Sequence, residues 1–258
     1  MVDTHAHLSL CEPSDGELVA AARASGVSRI LTVGIDDDSN RSAVEAAEAH
    51  EEVFASVGRH PNSAADFDDA AARRIESLAA HHNVRAIGET GLDYYRDRAP
   101  RDAQRRAFEA QIAIAREAGL ALVIHLRDRE HDDGAGEAVA EAFATLERLA
   151  DGGTVILHCF SASSRAAEAA ERGWLCSFAG NVTYRRSEAL REAAAAVPDE
   201  LLLVETDAPF LAPQPVRGKP NSPANVVATA GTVAEARGIP YEELDRLVES
   251  NAERVFGW

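Results

Sequence analysis

Short apolar runs alternate along this chain with longer stretches of helical periodicity. Val2, Thr4 and Leu8 suit a buried strand. Residues 15–25 read as a helix with Leu18, Val19 and Ala22 on one face, ended by Gly26. The same unit then repeats. Strands are predicted at 27–33, 53–57, 84–87, 121–124, 155–157, 174–178 and 201–204. Helices are predicted between them at 36–50, 67–81, 103–118, 135–149, 163–171 and 188–196. The 103–118 helix has the strongest stripe, Phe108, Ile112 and Ala115, with Gly119 as its stop. A loop rich in proline and glycine, 208–223, precedes two last helices at about 224–237 and 241–255. Strands alternating with helices imply a parallel sheet with right-handed crossovers. Eight such units predict an α/β fold, a closed (β/α)8 TIM barrel forming one domain over residues 1–258. The alternative is an open doubly wound sheet, and the lack of Gly-x-Gly-x-x-Gly after the first strand weighs against it.

Charge changes the picture of possible partners. The chain carries 43 acidic against 26 basic side chains, net −17, and Lys219 is its sole lysine. Such a surface suits a protein working in high salt, where screening removes self-repulsion. It does not suggest nucleic-acid binding by bulk charge, so any such site must be local. No apolar run approaches the roughly 18 residues of a membrane span. The first strand begins at Val2 and leaves no room for a signal peptide, which predicts a cytoplasmic protein. Cys11, Cys159 and Cys176 form neither a disulfide framework nor a metal-binding cysteine pattern. Cys159 is expected to face away from its neighbour His158.

In a barrel of this kind the C-terminal strand ends converge at one mouth, where catalytic groups sit. His5 and His7 end the first strand and, two apart, share a face; Asp3 is expected to point away from them. Glu89 follows the fourth strand, His125 the fifth, His158 the sixth and Asp207 the eighth. Burying so many polar groups is costly unless something pairs them, and divalent cations do so. Six ligands exceed the three or four of a single catalytic zinc and match two ions sharing a carboxylate. The expected arrangement puts His5, His7 and Asp207 on one ion and His125 and His158 on the other, with Glu89 between. Asp207 and Glu89 are then the expected catalytic carboxylates, Asp207 as proton acceptor. Mg, Mn and Zn all remain open as the metal. Asp93 and Glu205 are candidates to stand behind the ligands; Glu205 either orients a histidine or is structural. His60 and Tyr94 are expected to face the mouth, Tyr94 stacking on a base or simply packing. Arg217, Lys219 and Asn221 lie in the loop after the last strand, where barrels often bind phosphate.

These residues fall in segments that resemble the TatD family of metal-dependent deoxyribonucleases, among the amidohydrolase-like barrels. The segments are Asp-Thr-His-Ala-His-Leu at 3–8, Gly-x-His-Pro at 58–61, Gly-Glu-Thr-Gly-Leu-Asp-Tyr at 88–94, His125, and His-Cys-Phe-Ser at 158–161. Glu-Thr-Asp-Ala-Pro-Phe-Leu at 205–211 and Arg-Gly-Lys-Pro-Asn at 217–221 with Pro223 complete them. The resemblance implies a divalent-metal hydrolase acting on DNA, single-stranded or at ends, with His5, His7, Glu89, His125, His158 and Asp207 as ligands. Two positions depart from the family pattern: Ala162 stands where a glycine is usual, and Asn62 where a second histidine is common. Fold and ions are shared among chemistries. A hydrolase of an amide, lactone or aminoacyl-tRNA ester, and a non-catalytic metal-binding protein, are therefore the rival readings.

Overall fold

The structure is a computed structural model that describes residues 1–128 and 135–258. Eight strands pair in parallel in chain order: β1 (Val2–Ala6), β2 (Arg29–Val33), β3 (Val53–Val57), β4 (Val84–Asp93), β5 (Ala121–Arg127), β6 (Val155–Leu157), β7 (Leu175–Phe178) and β8 (Leu202–Val204). A parallel bridge between Ala6 and Ala208 brings the last strand back to the first. There His7 N donates to Ala208 O at 2.7 Å and Asp207 N to His5 O at 2.9 Å. The predicted (β/α)8 barrel is thus the fold, and its closing seam lies against two of the candidate ligands.

Helices α1 (Asp15–Ala24), α2 (Asp37–Ala49), α3 (Asp69–Ala79), α4 (Arg101–Ala118), α5 (Glu137–Leu149), α6 (Ala166–Glu171), α7 (Glu188–Ala196), α8 (Val226–Arg237) and α9 (Tyr241–Phe256) surround the strands. Their boundaries follow local chemistry. Asp36 caps α2, its carboxylate accepting from Ser39 N while the Ser39 hydroxyl serves the Asp36 backbone. Gly119 ends α4 at φ 67, a left-handed position that glycine adopts without a Cβ penalty. The α4 stripe of Phe108, Ile112 and Ala115 is buried, as its periodicity predicts. Full burial of a side chain the size of Phe108 stabilises by roughly 1.5–3 kcal/mol. Thr4 donates to Val204 O at 3.0 Å, and this leaves it to accept from Ser177 at 3.1 Å, so both buried hydroxyls are satisfied. No helix among the described residues is long and apolar enough to cross a membrane.

Two irregularities matter for the site. The predicted fourth strand ends at Ile87, but β4 continues to Asp93 alongside β5. Gly88 and Gly91, at φ 146 and 136, read as a strand end in sequence. In the barrel they are where the β5 backbone passes, since a Cβ at either would run into Val123 or His125. The β4–β5 register shifts between Ile87 and Thr90, and Glu89 sits in that shift. The β1–β2 register likewise shifts between Asp3 and Ala6, around His5. Such bulges re-aim side chains and break simple two-residue alternation.

Candidate metal centre

The strand ends bring His5, His7, Glu89, His125, His158 and Asp207 into one cluster, with Glu89 as its hub. Glu89 Oε2 lies 3.6 Å from His5 Nε2 and 3.5 Å from His7 Nε2. Its Oε1 lies 2.5 Å from His125 Nδ1, 3.0 Å from His158 Nε2 and 3.6 Å from His60 Nε2. Asp207 Oδ1 stands 3.4 Å from His7 Nε2 and 3.9 Å from His5 Nε2. The two oxygens of one carboxylate therefore face two different groups of imidazoles.

Outer partners fix which nitrogen faces inward. His7 Nδ1 lies 2.8 Å from Val33 O, and a carbonyl only accepts, so His7 Nδ1 carries the proton. Its Nε2 then turns a lone pair inward. His158 Nδ1 lies 3.0 Å from Glu205 Oε1, with the same result. His125 Nε2 faces Asp93 Oδ2 at 3.4 Å, which leaves His125 Nδ1 to point at Glu89. Neutral rings so oriented aim lone pairs at carboxylate oxygens and at each other. His5 and His7 Nε2 are 3.2 Å apart, and His158 Nε2 and His125 Nδ1 are 3.4 Å apart. Acceptors facing acceptors need a cation between them, either protons on the imidazoles or a metal ion. Ligands about 2.1 Å from one ion stand about 3.0–3.4 Å apart, so these separations fit a divalent metal. His5 Nδ1, His125 Nε2 and Glu205 Oε2 are also buried without a well-formed hydrogen bond among the described residues.

The ionisation pattern belongs to the same network. Burial opposes charge on Glu89, but the imidazoles of His158, His60 and His125 outweigh it and hold its carboxyl well below the usual range. Asp207 is likewise held low, against burial, by His7, His158 and His5. Burial works against protonation of His158, yet Glu89 and Glu205 push it well above its ordinary value. His7 and His125 are raised too, each against burial, by the carboxylates beside them. Burial and the neighbouring His158 lower His5. Burial, helped by His125, takes His60 down to about 3.

The supporting residues are placed as follows. Glu205 Oε1 also accepts from Cys159 N at 2.8 Å. Cys159 and Asp207 both adopt positive φ, 44 and 54, at the ends of β6 and β8; such strained conformations persist where surrounding structure imposes them. Asp93 holds loop as well as histidine: its Oδ1 accepts from Tyr95 N and Arg96 N at 3.0 and 2.8 Å. His60 joins the cluster itself. With Asp93 and His125 it makes one of four trios among the described residues with atoms within 4.8 Å, beside His5–His7–Glu89, Glu89–His125–His158 and His5–His158–Glu205. Asn62, one of the two departures from the family pattern, donates to Asp93 Oδ2 at 2.7 Å. Asp3 accepts from Thr206 N and Thr206 Oγ1 at 2.8 and 2.6 Å and from His5 N at 3.3 Å.

Four expected substrate contacts are placed elsewhere. Tyr94 is buried, donating to Glu141 at 2.7 Å with the Arg101 guanidinium 3.9 Å over its ring. The longer β4 turns it toward α4 and α5 rather than the mouth. Asn221 is buried and spends all its hydrogen bonds on its own loop. It donates to Thr206 O and Phe210 O and accepts from Ser222 N and Asn225 Nδ2. Arg217 is exposed and lies 4.2 Å from the Tyr184 ring centroid, and Lys219 is exposed. Neither lines the cavity of about 700 Å³ at the mouth, whereas Cys159, expected to face away, does. Sequence reasoning overlooked Arg96, Arg98 and Arg127, which line it. The available signal was the Arg-Asp-Arg run only three residues beyond Asp93.

A (β/α)8 barrel that gathers imidazoles and carboxylates around a shared glutamate defines the class of metal-dependent hydrolases. The model of one family within that class, TatD related DNase, matches residues 2–257, and the chain belongs to it. Over 260 residues it is 38% identical to the uncharacterized metal-dependent hydrolase YabD of Bacillus subtilis (strain 168), covering 99% of this chain and 98% of that one. It is 34% identical over 253 residues to a Dickeya dadantii protein named 3'-5' ssDNA/RNA exonuclease TatD, covering 93% and 90%. Among solved structures, the TatD homolog YJJV of Escherichia coli K12 superposes with a TM-score of 0.88 at 25% identity, covering 100% of this chain and 98% of that one.

Proposed function

We propose that this hydrolase is a two-metal phosphodiesterase that trims DNA from single strands or free ends. The observation that carries this reading is the division of Glu89, one oxygen toward His5 and His7 and the other toward His125 and His158. His5, His7 and Asp207 would hold one divalent ion and His125 and His158 the other, with Glu89 shared; Mg, Mn and Zn are the candidates. When bound, such ions activate water at neutral pH and stabilise charge on a phosphoryl group.

The chain's own groups do the rest. Asp207 stays ionised at neutral pH and takes the proton of the attacking water. Glu205 and Asp93 hold His158 and His125 in the orientation the ligand role requires. His60 is neutral, and its Nδ1 accepts from Asn62 N at 3.0 Å. Its Nε2 therefore carries a proton into the centre, where it serves as a neutral hydrogen-bond donor to a substrate oxygen. The Dickeya relative's name, an ssDNA/RNA exonuclease, supports nucleic acid over other esters.

The test is cleavage of end-labelled single-stranded DNA beside a panel of lactones, amides and aminoacyl-tRNA. Chelation should abolish DNA cleavage, Mg or Mn should restore it, and elemental analysis should approach two ions per chain. Cleavage that survives exhaustive chelation, or turnover of the panel without DNA, overturns the reading.

A further inference from the structure

With a net charge of −17 the molecule as a whole repels a polyanion, yet one wall of the cavity does not. Arg96 and Arg98, in the loop after β4, and Arg127, at the end of β5, line it. Among the described residues none of the three makes an ion pair. The next arginines along α4 do: Arg101 with Glu137, Arg105 with Glu141 and Arg106 with Asp102. The loop that carries Arg96 and Arg98 is pinned. Asp93 accepts from the backbone of Tyr95 and Arg96, and Asn62 Oδ1 accepts from Arg98 N at 3.2 Å. Arg127 is steered by the Tyr95 ring, 4.4 Å from its guanidinium. The same Asp93 faces His125, so the arginine loop and the metal cluster share one support.

Leu10, Phe210 and Leu211 also line the cavity. Leu10 follows β1, and Phe210 and Leu211 follow β8. In a ring ordered β1 to β8 these strands lie opposite β5 and β4. The mouth is therefore two-sided, cationic across from apolar, with the Glu89 cluster between. Phe210 is 51% exposed and sits edge-on to His7, ring centroids 6.0 Å apart.

We propose that Arg96, Arg98 and Arg127 form a phosphate subsite for the diester next to the scissile one, and that Phe210 is the platform for an unpaired terminal base. This rests on the nuclease reading above. Arginine forks grip phosphate oxygens at fixed geometry, and a base face stacks on an aromatic ring in any sequence. A blunt duplex end has its bases paired and stacked, so the platform favours single strands and frayed ends. The loop of Arg217 and Lys219 takes no phosphate.

The experiment compares a short single-stranded oligonucleotide with bis(4-nitrophenyl) phosphate, which has a scissile diester and no neighbouring one. Arg96 and Arg98 are exposed, so Arg96→Ala/Arg98→Ala should fold. Its kcat/KM on the oligonucleotide should fall about 10–100-fold through KM, by a factor at least about tenfold larger than its loss on the small diester. The log–log salt dependence should flatten by about 0.7 for each phosphate that the variant no longer grips. The matching lysine pair should recover part of the loss. Phe210→Ala should raise the oligonucleotide KM about five- to a hundredfold, as loss of one stacked base implies, and Phe210→Trp should not. A double arginine variant with unchanged KM and salt slope, or an Arg217→Ala/Lys219→Ala variant that loses more, overturns the proposal. If the wild type cleaves neither diester, the nuclease reading fails separately. Fluorescence anisotropy with the same oligonucleotide then decides the subsite: binding lost in the arginine variant upholds it, and absent or unchanged binding overturns it.

Discussion

The two halves of the cluster use the same imidazole but hold it differently. On the β1 side His7 is held by a neutral backbone carbonyl, Val33 O, and His5 Nδ1 has no partner among the described residues. On the β5–β6 side both rings face carboxylates, His158 hydrogen-bonded to Glu205 at 3.0 Å and His125 Nε2 3.4 Å from Asp93 Oδ2. A carboxylate behind an imidazole raises its basicity as a ligand; a carbonyl does so less. The β5–β6 half should therefore be the tight ion site. The β1 half, with Asp207 in place of a backing carboxylate, should be the exchangeable one, where the proton acceptor sits.

The change with the largest expected effect removes what the halves share. Glu89→Gln should cut turnover on the order of 10³-fold or more, since it takes away fixed charge that both halves use, and should drop the ion content below one per chain. Elemental analysis that still finds two ions would break the picture of a common hub. Asp207→Asn touches the β1 half alone and should cost at least about a hundredfold in turnover, with the fold intact by circular dichroism. Near wild-type cleavage would remove Asp207 as the proton acceptor.

Smaller effects separate the halves. Glu205→Gln and Asp93→Asn should each weaken the tighter ion about 10–100-fold while leaving the weaker ion nearly unmoved in a calorimetric titration. Equal weakening of both ions would show that the halves are one unit.

The mildest test is the pH dependence of the chelated protein. His158, His125 and His7 titrate above their ordinary 6.5 in the fold, so their contribution to stability is complete below that value. It fades as pH rises through the raised ones. Glu89 titrates below its ordinary 4.5, so its contribution is present above 4.5 and is lost as pH falls through the lowered value. His5 and His60, held below 6.5, act the other way over the same range. Three raised imidazoles outnumber two lowered ones, so the chelated protein should melt highest between these limits and lower toward alkaline pH. Metal replaces the protons, so the stabilisation by added Mn should grow as pH rises. A chelated protein that gains stability from about pH 6 to 8 would contradict the assigned charges.

Much of this was legible before any fold was known. His5 and His7 share the first apolar run, and Glu89, His125, His158 and Asp207 each have their own. Parallel strands in a barrel open toward one mouth, so local periodicity was enough to collect them. The failures share a cause. Tyr94 was misplaced because Gly88 and Gly91 look like a strand end, when they instead admit the β5 backbone. Asn221 looked like a free polar loop residue because its four partners are invisible in one dimension. Arg217 and Lys219 drew attention as cations in the expected loop, while Arg96, Arg98 and Arg127 passed unnoticed among the chain's many arginines.

The sequence by itself determined the order of elements, the closed barrel and the side chains that end its strands, because hydrophobic period is a local property. The tertiary structure decided which nitrogen of each ring faces inward and which loops wall the mouth. Those outcomes depend on partners far along the chain: Val33 lies 26 residues from His7, and Glu205 lies 47 from His158. A hydrogen bond that orients a ring is made only after the barrel has brought both ends together. The chain pattern could therefore name the candidate ligands, and only the closed barrel could aim them.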